Sequence, residues 1–341
     1  MNIKDATDLY RFGSTEELSK IANDIVKKNY SNEVFIRGLI EFSNCCGMDC
    51  LYCGIRKSNS KTVRYRLSDE EIIDAIKRGL DAGIKTFVLQ SGESRTYNDK
   101  ELAKLLCKIK KITGDESAIT LSCGLMNKDH YKRLKDSGCN RYLMRFETSD
   151  EKLYSYLKKG QSLKTRLKGL ENLKKLGFEV GSGFMVGLPG ETIETTINNA
   201  LLCKELELDM IGIGPFIPHG ETPLKEESSG SLETILRTTA LLRILLPYSN
   251  IPATTATGSI DALGREKALS SGANVLMPNI TPTKYKKNYL LYPGKICLEE
   301  SGFECISCLA GRVESVGKKI SYEKGNSISY TMNKENLTKR I

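Results

Sequence analysis

From Val34 onward the chain alternates two hydrophobic patterns: short continuous apolar runs, and longer stretches where apolar residues return every three to four positions. The runs predict strands at 35–41, 84–90, 117–122, 141–147, 179–186, 209–214, 251–255 and 274–278. The helical spacing predicts helices near 68–81, 98–112, 127–137, 162–176, 192–206, 231–246 and 262–271. Regular alternation of strand and helix means parallel pairing through crossovers. Eight such strands close into a (β/α)8 TIM-type barrel of the α/β class, whose functional groups stand on loops at the C-terminal strand ends. Residues 1–34 read as a helical lead-in. There Ser14, Thr15, Glu16 and Glu17 mark a helix start, and Leu18, Ile21, Ile25 and Val26 share a face expected to cap the barrel base. The barrel would occupy 35–292. Residues 293–341 would form a loop-like cysteine-bearing segment ending in a polar tail, 322–341, which lacks an apolar period and is expected to be mobile.

Length alone, at 341 residues, would suggest about two domains, but α/β barrels of this size fold as one. With 40% hydrophobic residues the chain can bury a large core, and no apolar run approaches the roughly 20 residues of a membrane span. The first residues, Met-Asn-Ile-Lys-Asp-Ala-Thr-Asp, show neither a signal-peptide apolar stretch nor an arginine-rich transit pattern, so a soluble, cytoplasmic protein is expected. A net charge of +9 raises the question of nucleic acid. The lysines, however, fall in pairs on predicted helices (Lys110 with Lys111, Lys158 with Lys159, Lys174 with Lys175), with acidic residues interspersed and no interleaved aromatic platforms. That is the pattern of solvated helix faces, so neither nucleic acid nor membrane is an expected partner.

Four of the 11 cysteines, Cys45, Cys46, Cys50 and Cys53, crowd into the loop after the first predicted strand. An odd cysteine count without a secretory signal disfavours disulfides. Structural zinc needs a fourth ligand, and the only histidines, His130 and His219, lie far along the chain. Cys46, Cys50 and Cys53 are spaced C-x3-C-x2-C, so one short loop can bind three irons of a 4Fe-4S cube and leave the fourth iron open to a ligand. Counting from Cys45 instead yields C-x4-C-x2-C, the plant-ferredoxin spacing, which asks for a fourth cysteine close downstream; the next, Cys107, falls inside a predicted helix. A second group, Cys297, Cys305 and Cys308, spaced C-x7-C-x2-C, is able to hold another cluster. Cys107, Cys123, Cys139 and Cys203 are scattered and read as small buried hydrophobes.

The first triplet, with Tyr52 just before its last cysteine, resembles the signature of the radical S-adenosylmethionine (SAM) superfamily. The stretches EFSN, LYCGIR, YRLSDEEI, VLQSGE, FMVGLPGET, MIGIGPFIPH, SNIPATTATG and LYPGKIC, between about residues 35 and 308, resemble the HydE family of FeFe-hydrogenase maturases. The resemblance implies an enzyme whose 4Fe-4S cluster passes one electron to SAM, releasing methionine and a 5'-deoxyadenosyl radical that attacks a sulfur-bearing substrate. It also implies an iron complex with cysteinate, carbon monoxide and cyanide as substrate, other hydrogenase maturases as partners, and an auxiliary 2Fe-2S or 4Fe-4S cluster at Cys297, Cys305 and Cys308. A basic face would then suit an acidic electron donor such as ferredoxin or flavodoxin. Biotin synthase, a related type, uses cysteines on strands four and five, where this chain has Arg145, Glu147 and Met185. Methylornithine synthase is harder to separate by residues, and QSGE and IPATTATG favour the maturase. A non-catalytic iron-sulfur carrier would have no use for a SAM site.

Residues at the strand ends then acquire expected roles. Ser91-Gly92-Glu93 matches the superfamily's Gly-Gly-Glu element with Ser91 in place of the first glycine; a glycine there lets backbone carbonyls approach a ligand ammonium, and otherwise marks only a turn. Arg145 and Glu147, two apart on a strand, would face the lumen together and pair with each other or with a ligand. The resemblance assigns Glu147 to the ribose hydroxyls, Ser122 to holding SAM, and Arg166, by itself an ordinary surface arginine, to the methionyl carboxylate. Loops 187–191 and 215–219 suit a flat adenine, with Ile213 and Phe216 as apolar contacts; His219 reads as a loop histidine. Thr254 and Thr255 offer hydroxyls to an anionic group, and Met210, Met277, Tyr289 and Tyr292 would line a polarizable substrate wall.

Overall fold

The computed structural model describes residues 1–94 and 98–338, apart from the side chains of Cys305, Leu337 and Thr338. Two helices, Ile3–Phe12 and Thr15–Tyr30, open the chain, the second started by the Ser14 hydroxyl, which accepts the Glu17 N–H at 3.1 Å. The strands follow in order: β1 (Glu33–Ile36), β2 (Gly38–Ser43), β3 (Thr86–Ser91), β4 (Ala118–Ser122), β5 (Arg141–Leu143), β6 (Glu179–Ser182), β7 (Met185–Val186), β8 (Met210–Ile211), β9 (Gly214–Pro215), β10 (Val275–Leu276) and β11 (Lys319–Ser321). A parallel sheet runs β2-β3-β4-β5-β6-β8. Bridges of Met210 to Asn250, Pro252 to Val275 and Leu39 to Asn279 then carry the pairing round to β2, so six strands, the segment 250–252 and β10 close the expected barrel.

Alternation along each stave sets its two faces. Leu39 and Glu41 point into the lumen, whereas Ile40 and Phe42 are fully buried under the outer helices. Those helices lie where the periodicity puts them, for example Asp69–Asp81, Asp99–Thr113 and Leu163–Lys175. No helix among the described residues is long and apolar enough to cross a membrane.

The structure departs from the periodicity where the staves bend. The runs 179–186 and 209–214 each split in two, because Gly183 (φ +149°) turns against Gly212; a Cβ at Gly183 would lie 2.0 Å from the Gly212 carbonyl oxygen. The expected strand 251–255 shrinks to isolated bridges, as Thr254 is already the cap of a short helix, Thr255–Ile260. Residues 141–147 are strand only to Leu143. The segment read as loop-like after Pro293 contains the helix Glu304–Glu314.

The barrel base is closed differently from expectation. The lead-in helix Thr15–Tyr30 buries Leu18, Ala22 and Val26, and its Ser19 and Tyr30 hydroxyls reach Ser271 and the Ser249 carbonyl. The base itself is filled by the polar tail. Strand β11 pairs with β1, the Lys324 carbonyl and Asn326 side chain both accept from Arg141 at 2.8 Å, and the Gly325 carbonyl accepts from Arg37 at 3.2 Å and Asn250 at 3.0 Å. The expectation of a mobile tail is therefore overturned for 324–327, and a helix, Ile328–Thr338, follows them. Hydrogen bonds to buried charges hold 324–327 in place, and hydrophobic periodicity does not register them.

Arg141 and Glu179, whose side chains are 0% and 1% exposed, anchor this network with a 2.6 Å ion pair. Replacing one partner strands the other charge in the interior. Arg141→Met is expected to lower unfolding free energy by about 3–5 kcal/mol in urea denaturation, and a loss under about 1 kcal/mol would show the base network to be dispensable.

Candidate active site

The loop after β2 carries the cysteine triplet at the C-terminal mouth of the barrel. Cys46, Cys50 and Cys53 all line one cavity of about 370 Å³ that runs down the lumen. Cys45 does not; its thiol turns to the Tyr65 carbonyl at 3.7 Å. The orientation therefore favours counting from Cys46 over the ferredoxin-type register. Backbone bonds clamp the loop: Gly47 N–H donates to the Glu93 carbonyl at 2.8 Å, Leu51 N–H to Leu157 at 2.9 Å and Gly54 N–H to Leu291 at 2.9 Å. Asp49 ties it further, accepting from Arg56 at 2.6 and 2.8 Å and from Ser58 at 2.7 and 3.0 Å; against the upward push of burial these bonds hold its carboxyl at about 2.

Gly92 packs directly on this loop, donating to the Ser43 carbonyl at 3.1 Å. A Cβ at Gly92 would lie 2.4 Å from the Cys45 carbonyl oxygen and 2.8 Å from the Cys46 Cβ, so the second stave can approach the triplet only without a side chain. Glu93 beside it accepts from Arg166 at 2.7 Å. Arg166, unlike the surface residue that its local sequence suggests, is 3% exposed and also donates to Gln161 and Tyr154.

Arg145 and Glu147 face the lumen as expected, but not through strand alternation. Glu147 adopts a left-handed backbone (φ +70°), held by its N–H to the Gly183 carbonyl at 3.0 Å and by Met185 N–H to its own carbonyl at 3.1 Å. Its carboxylate pairs with Arg145 at 2.9 Å. Ser91, Ser122, Met210, Ile213, Thr254, Thr255 and Tyr292 all line the same cavity, as does Tyr52. Met210 is engaged by Arg37 at 3.0 Å, and Thr254 shares its hydroxyl with Thr257 at 2.9 Å.

Sequence reasoning missed Glu41, Lys158 and Lys295. Lys295 and Glu41 form a 2.5 Å ion pair with 7% and 3% of their side chains exposed. Lys158, read as one of a solvated pair, is 5% exposed and lines the cavity. Only the surrounding loops bury these charges, and no local periodicity marks them. Counted around the cavity, Arg37, Arg145, Lys158, Arg166, Arg265 and Lys295 face Glu41, Glu93 and Glu147, six cations against three carboxylates.

These residues fit an iron-sulfur cluster. The surplus of positive charge suits an anionic occupant. Burial pushes the Cys46 and Cys53 thiols up, and iron supplies the charge that deprotonates such thiols. Among the described residues no three His, Cys, Asp or Glu side chains gather on a point suited to one metal ion; a cube binds its thiolates at separate corners.

The other cysteines divide. Cys123, Cys139 and Cys203 are buried as expected, but Cys107 is exposed. Cys297 (φ +62°) lies on the rim of the cavity, while Cys308 is exposed on the helix Glu304–Glu314. Cys305 occupies the same helix, and its side chain lies outside the described residues.

Because Gly92 leaves no room for a methyl group, Gly92→Ala is expected to cost about 1–3 kcal/mol in denaturant unfolding and to lower iron bound per chain after anaerobic reconstitution. Wild-type stability and iron content would show that the loop yields without consequence.

Comparison with known proteins agrees with this geometry. The model of the radical SAM superfamily matches residues 40–203. The FeFe hydrogenase maturase subunit HydE of Thermotoga maritima is 46% identical over 95% of this chain and 92% of that protein. A 3-methylornithine synthase of Methanosarcina acetivorans is 31% identical over 83% of this chain and 80% of its own. Among solved structures, a methylornithine synthase (PylB) superposes with a TM-score of 0.82 at 27% identity, covering 94% of each chain. HydG, a maturase of the FeFe-hydrogenase, superposes at 0.78 with 18% identity over 97% of this chain and 76% of its own, a likeness of fold alone. The chain thus belongs to the radical SAM superfamily, as an enzyme of the HydE maturase family.

Proposed function

We propose that this enzyme serves in assembling the di-iron cofactor of FeFe-hydrogenase, acting on an iron complex that carries cysteinate, carbon monoxide and cyanide, alongside other maturases. The observation that carries this reading is the meeting of Cys46, Cys50 and Cys53 with Glu93, Arg145, Glu147 and Arg166 on a single cavity at the C-terminal mouth. The 46% identity to a HydE, against 31% to a methylornithine synthase, supports the maturase over that alternative.

In this reading the three thiols hold a 4Fe-4S cluster. When bound, the cluster would supply the one electron that cleaves SAM into methionine and a 5'-deoxyadenosyl radical. The chain's own residues orient and enclose. Backbone carbonyls at Ser91 and Gly92 meet the ligand ammonium, Arg166 the methionyl carboxylate, Ser122 and Glu147 the polar groups of the nucleoside, and Ile213 the adenine. Tyr52 closes the wall beside Cys53. Arg145, paired to Glu147, keeps that carboxylate aimed into the lumen. Deeper in, Met210, Thr254, Thr255 and Tyr292 receive the substrate, the hydroxyls taking its polar edge and the methionine its soft metal-bound face.

A second cluster at Cys297, Cys305 and Cys308 belongs to the same proposal, as a 2Fe-2S or 4Fe-4S centre outside the core reaction. So do a cytoplasmic setting and an acidic electron donor of ferredoxin or flavodoxin type, drawn by the net charge of +9.

Reconstituted protein given dithionite and SAM is expected to form 5'-deoxyadenosine and methionine, measured by chromatography. Cys50→Ala abolishes this, whereas Cys45→Ala retains it. A reduced, cluster-loaded protein that leaves SAM intact would falsify the enzymatic reading. Coexpression with a hydrogenase tests the client: hydrogenase activity is expected to be lost without this chain, and full activity in its absence would remove the maturation role.

A further inference from the structure

Three of the cations lining the cavity, Arg145, Arg166 and Lys295, have carboxylate partners. Lys158 has none among the described residues. Its Nζ makes one hydrogen bond, to the Tyr52 hydroxyl at 3.3 Å, and sits 5.9 Å from the centre of that ring. The residue as a whole is only 5% exposed. A lysine usually avoids this by extending its flexible stem to the surface. A buried charge without a counter-ion is costly, so its presence asks for negative charge nearby.

Its position says where that charge belongs. Lys158 closes the helix Glu151–Leu157, and the Leu157 carbonyl accepts the Leu51 N–H at 2.9 Å, which stitches this backbone to the cysteine loop between Cys50 and Cys53. Tyr52, its partner, immediately precedes Cys53. Lys158 and the three thiols border the same cavity.

We propose that Lys158 is the counter-charge of the cluster held by Cys46, Cys50 and Cys53, and that it raises the reduction potential of that cluster. Reduction adds one negative charge to the cluster. A fixed cation in a water-poor wall stabilises the reduced form more than the oxidised one, and local charge is among the main determinants of cluster potential. The inference rests on the three thiols being cluster ligands, and its test separates the two.

Lys158→Met, Lys158→Arg and wild-type protein, reconstituted anaerobically, are titrated without SAM, the reduced cluster being followed by electron paramagnetic resonance. K158M is expected to hold roughly tenfold less reduced cluster at a fixed potential, a fall of about 59 mV for a one-electron couple. K158R, which keeps the charge, is expected to match wild type. Equal potentials in fully loaded wild type and K158M overturn the inference and leave the ligand assignment intact. Cys50→Ala that still binds a cluster with wild-type spectra overturns the ligand assignment, and the inference with it. An unchanged potential with weakened SAM binding hands Lys158 to the nucleotide and likewise overturns it. Should K158M lose its cluster during preparation, Lys158→Gln is titrated in its place against the same criterion.

Discussion

A closed ring of parallel strands leaves each inward polar group two choices: it finds a partner inside the ring, or it waits for what enters. Both ends of this barrel are governed by that constraint, with opposite outcomes. At the base Arg141, Glu179, Asp209, Asn250 and the returning segment 324–327 satisfy one another, and the lumen is sealed there. Above it six cations, Arg37 from the base among them, stand against three carboxylates around open volume. A low-dielectric wall with surplus charge is costly in an empty protein and strongly selective for anionic contents. Stability is concentrated at one end of the barrel, and readiness for chemistry at the other.

The cysteine loop shows how that readiness is kept without regular structure. It is irregular from 44 onward, yet its backbone is tied to the loop after β3, to the end of helix Glu151–Leu157 and to Leu291. Asp49 acts inside it as a small rigid hub for Arg56 and Ser58. The loop therefore inherits its shape from three separate parts of the barrel, and a cluster arriving there meets thiols whose positions are already restrained. Gly92 is where this coupling is tightest, since the strand and the loop touch backbone to backbone.

Glu147 illustrates a different kind of restraint. A non-glycine residue with φ of +70° persists only because its own N–H and carbonyl are both taken by the neighbouring stave. The bend at Gly183 that breaks the fifth stave is what brings those partners into reach. Local strain on one strand and a glycine on the next are thus two halves of one device, which aims a carboxylate into the lumen.

The barrel, its outer helices and the triplet of thiols were legible in the amino-acid order because each depends on spacing along the chain. Short continuous apolar runs make staves, period-3.6 runs make helices, and C-x3-C-x2-C makes a three-point ligand loop. The roles of Ser91, Gly92, Glu93, Ser122, Glu147 and Arg166 could be assigned only through resemblance to a family, since each has an ordinary local meaning. Tertiary structure alone decided that Cys45 turns away from the cavity, that Lys158, Glu41 and the Lys295 side chain are buried, and that the polar tail seals the base. These outcomes rest on contacts between segments tens to hundreds of residues apart, where hydrogen bonds and ion pairs, rather than apolar periodicity, repay the loss of water.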